Sequence, residues 1–136
     1  MSKLREKSEF NIEAAEMLIE SFLYAPSVHC SYYSCFQLLK YTMNDFFDVS
    51  YEELSRKISN SKLSTHSYVI KYISNELIVL TGKIESERKF TRKIKELKHF
   101  RAESDYENIE VSNDKGTQAL QLAQGLRRYL ITNFNL

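Results

Sequence analysis

The sequence predicts an all-α fold, an antiparallel four- or five-helix bundle within a single domain spanning residues 1–136. Three observations carry that prediction. Only one proline and three glycines occur in 136 residues, too few to punctuate a sheet protein with turns. Apolar residues, 43% of the chain, recur at intervals of three and four. The length suits one domain with a buried core, and the chain contains neither repeats nor a low-complexity linker.

The first helix is expected from Leu4 or Ser8 to Leu23, with Phe10, Ala14, Met17, Leu18 and Phe22 as its inward stripe. The stretch "YAPSVHC" marks a boundary, because Pro26 disfavours helical geometry at Ala25 yet suits the first turn of a new helix. Beyond it Val28, Tyr32, Cys35, Leu39, Met43 and Phe46 form a long stripe, widened by Tyr33, Phe36 and Phe47, so this helix belongs at the bundle centre. "DVSYEELSRKIS" reads as a short helix, since Ser50 and Glu53 have capping-box spacing and Leu54 and Ile58 point the same way. Thr65 or Ser64 caps the next helix, which buries Val69, Ile73, Leu77 and Leu80 and ends or bends at Gly82. The segment "SERKFTRKIKELKHFRAESDY" places Phe90, Ile94 and Leu97 on one face, and "ENIEVSND" interrupts the period as a loop. The last helix starts near Asn113 or Asp114 and carries Ala119, Leu122, Leu126, Tyr129 and Leu130. Gly116 and Gly125 weaken it, though either could admit a close helix approach.

Charge excludes little and points at one residue. A formal net charge of +1 provides no global field for a nucleic acid. The basic stretch formed by Arg88, Lys89, Arg92, Lys93, Lys95 and Lys98 is diluted by Glu85, Glu87 and Glu96, and Arg127 with Arg128 adds a second. On a helical wheel with Phe90 at the origin, Leu97 falls at about 340°, Arg101 at about 20° and Asp105 at about 60°. Arg101 therefore sits inside the apolar stripe. A guanidinium there must be paired, wet or bound to an anion, because it cannot shed its proton. An Arg101–Asp105 bridge is one explanation; a phosphate in a cleft is the other. Glu103, at about 220°, and His99, at about 180°, are expected at the surface.

Metal and thiol chemistry find no support. No two histidines stand four apart, and neither cofactor nor metal is expected. Cys30 and Cys35, the only cysteines, diverge by roughly 140° on a helix and read as free thiols in a reducing compartment. No apolar run reaches a membrane span of roughly 20 residues and no signal sequence is recognised. A cytoplasmic, non-membrane protein is the expectation.

The tyrosine pair in "HCSYYSCF" and the arginine segment "LKHFRAESDY" together resemble the HEPN superfamily of small helical domains. "YAPSVHCSYYSCFQLLKY" is similar to the family's second-helix pattern, and "THSYVIKYI" followed by "LKHFRAESDY" is similar to a stand-alone subgroup with an Arg-x-x-x-Asp-Tyr ending. The resemblance implies an HEPN-like bundle and a homodimer whose cleft holds Arg101. It also implies, in many members, a metal-independent ribonuclease that pairs the arginine with a histidine a few positions later. Here the positions where that histidine is expected hold Tyr106, Glu107 and Asn108. The expectation is therefore a non-catalytic or very weakly active RNA- or nucleotide-binding module, using Arg101, Tyr32, Tyr33 and Tyr106. An endoribonuclease toxin using Arg101, Asp105 and Tyr106, and a structural helical adaptor, are the alternatives. His29 or His66 could still reach the cleft from another helix. The resemblance further implies a toxin–antitoxin or defence setting, with a separate nucleotidyltransferase antitoxin as a partner.

Overall fold

The computed structural model describes residues 2–136, and six helices account for most of them: α1 (Lys3–Glu20), α2 (Tyr24–Asp45), α3 (Tyr51–Ser61), α4 (Thr65–Thr81), α5 (Ile84–Tyr106) and α6 (Asn113–Phe134). The expected four or five helices are thus six. The short α3, already read from the sequence, counts among them as a full helix with its own caps. The Ser50 hydroxyl accepts from the Glu53 amide at 3.1 Å, and Lys62 turns left-handed at φ 64° to end it. No strand occurs among the described residues.

Helix α2 is the axis of the bundle, packed against α1, α4, α5 and α6. Tyr32, Cys35, Leu38, Leu39 and Met43 are fully buried along it, as its broad apolar surface requires. It begins at Tyr24, so Ala25 is helical, against expectation. The reason lies in the first turn: the earliest intrahelical bond runs from Ser27 N to Leu23 O, and the missing N–H of Pro26 is never called upon.

The inward face of α1 is also corrected. Phe10, Met17 and Phe22 are 65%, 67% and 75% exposed, while Ser8, Ile12 and Ala15 are buried. Small side chains let α1 approach α2 closely, and polar bonds hold the two together. Ser8 Oγ donates to Ser34 O at 2.6 Å, Ser27 Oγ to Ala15 O at 2.8 Å, and Asn11 pairs with Gln37. The helix stops before Leu23. Phe22 adopts φ 63°, and the Leu23 amide reaches back to Leu18 O, the bond pattern of a left-handed C-terminal cap.

Ser64, not Thr65, caps α4, and Gly82 closes it at φ 64°. Leu80, expected inside, is 43% exposed in the final turn. Residues 107–112 form the expected loop, pinned by buried Val111. Of the two glycines in α6, only Gly116 serves close approach: a Cβ there would stand 2.9 Å from Ile19 Cδ1 and 3.3 Å from Tyr24 Cβ, whereas Gly125 faces open space. Arg127 is not part of a basic surface. It is buried, bonded to Ser8 Oγ and paired with Glu9 at 2.8 Å, which ties α6 to α1.

Candidate functional site

The wheel positions of α5 translate directly into burial: Phe90, Ile94, Leu97 and Arg101 are its buried residues. Arg101 is 8% exposed, and the rings of three tyrosines stand around its guanidinium. The guanidinium carbon lies 5.1 Å from the Tyr32 ring centre and 5.6 Å from those of Tyr33 and Tyr106. Two of these rings come from α2 and one from the end of α5, so the cage exists only because α5 lies against α2. Cation–π attraction compensates part of the desolvation of the charge.

Hydrogen bonding to Arg101 is sparse. Nη1 donates to the Tyr106 hydroxyl at 3.3 Å, and Nε is buried with no protein acceptor. Asp105 Oδ2 is 3.8 Å from Nη1, an ion pair but not a hydrogen bond. That carboxylate oxygen instead meets His29 Nδ1 at 2.8 Å. An ionised carboxylate only accepts, so Nδ1 carries a proton and donates it to Asp105. The intrahelix bridge anticipated for Arg101 is thus the weaker of Asp105's two contacts.

His66 enters from the first turn of α4. Its ring stacks on Phe36 at 4.1 Å between centres and 11° between planes, and Nδ1 lies 2.6 Å from the Tyr32 hydroxyl. Burial, then the positive charges of Arg101, Lys98 and Lys40, lowers its pKa to about 4. Burial likewise pushes the Tyr32 hydroxyl far above its usual range. Tyr32 and His66 are therefore joined as two neutral groups. One turn before Arg101, burial and the charges of Arg101 and Lys95 lower the pKa of Lys98, whose ammonium donates to Ser67 Oγ at 3.3 Å.

All five residues singled out in the sequence, Tyr32, Tyr33, Arg101, Asp105 and Tyr106, occur in one cluster. Spacing after Arg101 located no imidazole, yet two stand in that cluster, His29 and His66, contributed by other helices. The sequence signal for His29 was its place one turn before Tyr32 and Tyr33 on α2, on whose second ring it packs at 4.7 Å. Other expectations fall away from the cluster. His99 is at the surface beside Glu103, but Glu103 is not solvated: it also pairs with Lys115 of α6 at 3.3 Å. The Cys30 thiol, pushed up by burial and by Asp105, is not a ready nucleophile. No grouping of three His, Cys, Asp or Glu side chains capable of holding a metal occurs among the described residues, and no helix is long and apolar enough to cross a membrane.

The HEPN domain family model matches residues 1–133. No curated protein and no solved structure matches the chain.

Proposed function

Because the chain belongs to the HEPN domain family, we propose that it binds RNA or a nucleotide through a phosphate held at Arg101. The single observation that carries this reading is a buried guanidinium left short of acceptors. Its Nε has none, and the neighbouring carboxylate is committed at 2.8 Å to His29. A helical adaptor would have no use for such a charge, since a buried arginine kept for structure is ordinarily paired and fully hydrogen-bonded. A phosphate supplies both the negative charge and the acceptors that the fork of donors calls for. Tyr33 and the 78% exposed Tyr106 offer ring faces to an unstacked base beside that phosphate.

A ribonuclease is the second reading, favoured by the His29–Asp105 pair. In that reaction His29 Nε2 takes the proton from a ribose 2′-hydroxyl, and the oxygen attacks the phosphorus held by Arg101. The P–O5′ bond breaks to leave a 2′,3′-cyclic phosphate, and the departing oxygen takes a proton from the Tyr106 hydroxyl. Asp105 holds the ring in the required tautomer. The proposed partners are RNA or a nucleotide, a second copy of the chain, and a separate nucleotidyltransferase, the last resting on family resemblance alone.

The test is incubation of metal-free protein with mixed-sequence RNA, alongside filter binding of the same RNA. The binding module predicts retention without cleavage, lost in Arg101→Ala. Cleavage that disappears in both Arg101→Ala and His29→Ala selects the ribonuclease. Unchanged retention by Arg101→Ala refutes both.

A further inference from the structure

A groove of about 380 Å³ runs between α4 and α5, beside the Arg101 cluster and distinct from it. Its walls are joined by a hydrogen bond between the Thr91 and Ser74 hydroxyls at 2.8 Å, so the groove has a defined width. Leu63 and Ile70 form an apolar part of the lining, and Lys71, Lys95 and Lys98 stand around it. Among the described residues the lysines that form ion pairs are Lys3, Lys57 and Lys115. The three lysines of the groove thus stand outside any ion pair. Glu87, the lone acid on the lining, is engaged by Thr91 at 2.8 Å.

Position along α5 ties the groove to the site already described. Lys95, Lys98 and Arg101 are three apart, so each successive cation is about 4.5 Å further along the axis and turned by about 60° around it. The row leads out of the tyrosine cage and into the groove. Ser67, which binds the Lys98 ammonium, directly follows His66 of the cage. Like charges in such a row repel one another, and the lowered Lys98 pKa reflects that crowding after burial. An anion lying along the row relieves it.

We infer that this groove is a second nucleotide subsite, holding the residue of a single-stranded nucleic acid next to the one whose phosphate lies on Arg101. This rests on the binding role proposed for Arg101 and adds direction to it: the ligand is a strand of at least two phosphates, not a mononucleotide. The base of the second nucleotide lies on Leu63 and Ile70, and its phosphate lies between Lys71 and Lys95. The volume is within the range of about 300–1,000 Å³ that suits one small-molecule-sized group, and it excludes a duplex.

The experiment is fluorescence anisotropy of a labelled pentauridylate with the full chain, using uridine monophosphate as competitor. The variant is Lys71→Ala/Lys95→Ala, whose two side chains lie at the surface and outside the tyrosine cage. Expected is about a tenfold loss of pentauridylate affinity, with competition by uridine monophosphate unchanged. The slope of log affinity against log salt should fall by about 0.7, the value for one lost phosphate contact on a single strand. Pentauridylate binding within twofold of the parent, or a parallel loss for the mononucleotide, overturns the groove while leaving the Arg101 reading intact. Equal binding of both ligands by Arg101→Ala and the parent overturns the Arg101 reading itself, as does a parent that binds neither. Repeating the series with pentadeoxyuridylate identifies the strand: a shared loss assigns the groove to either phosphodiester backbone, and a loss confined to the RNA assigns it to a ribose strand.

Discussion

Replacing Arg101 by methionine should destroy ligand binding and leave the protein as stable as before, or slightly more so. Methionine has a similar length and fills the same tyrosine cage, so no large cavity opens. Lost are three cation–π contacts at 5.1–5.6 Å, together about 2 kcal/mol, and the long bond to Tyr106, about 1 kcal/mol. The 3.8 Å pair with Asp105 adds about 0.5 kcal/mol. Against this, the substitution removes an unsatisfied buried Nε, which costs about 1–3 kcal/mol, and the several kcal/mol needed to desolvate a guanidinium. Asp105 is not orphaned, because it keeps His29 at 2.8 Å. The balance lies between about zero and about 2 kcal/mol in favour of methionine, a rise in Tm of up to several degrees for a chain of this length. Urea titration and thermal melting measure the stability, and anisotropy with RNA measures binding on the same preparations. A variant that still binds RNA but is destabilised by more than about 2 kcal/mol, the cost of breaking a structural contact, would falsify the reasoning. Arg101 would then be a structural bridge.

Acid should weaken the fold through His66. Its folded pKa of about 4 lies below the usual value of 6.5, so the unfolded chain binds more protons between those values and stability falls as pH drops through that window. The full shift would correspond to about 3 kcal/mol; discounted for a half-buried ring, about 1–2 kcal/mol is expected from urea titrations at pH 7 and pH 4. The double variant Tyr32→Phe/His66→Phe should flatten that difference, and an unchanged slope would show that other groups cause it. Gly116→Ala should destabilise by about 1 kcal/mol, since its Cβ would crowd Ile19 and Tyr24. Gly125→Ala, in open space within the same helix, should stabilise by about 0.5–1 kcal/mol, and equal effects at the two sites would contradict the packing described. Light scattering is expected to give twice the 16.0 kDa chain mass at micromolar concentration. The exposed apolar residues Phe10, Met17 and Phe22, on and just after α1, are the surface expected to close this homodimer, and a concentration-independent monomer would rule it out.

The sequence by itself determined the helical class, the positions of the helices and the burial of Arg101. Each follows from local chemistry: scarce glycine and proline, cap residues such as Ser50 and Ser64, and a 3.6-residue period that puts Arg101 in line with Phe90, Ile94 and Leu97. It misread α1 because periodicity reports that a helix has an apolar face without reporting what the face meets. There the buried side is held by serine and alanine at close range, and the larger apolar groups point outward. Only the tertiary structure decided the company that Arg101 keeps. His29 lies 76 positions from Asp105 and His66 lies 34 from Tyr32, separations over which no spacing rule operates. Whether a carboxylate serves the arginine on its own helix or a histidine on another is settled by about an ångström of distance, 2.8 Å against 3.8 Å. That ångström is set by how α5 packs on α2.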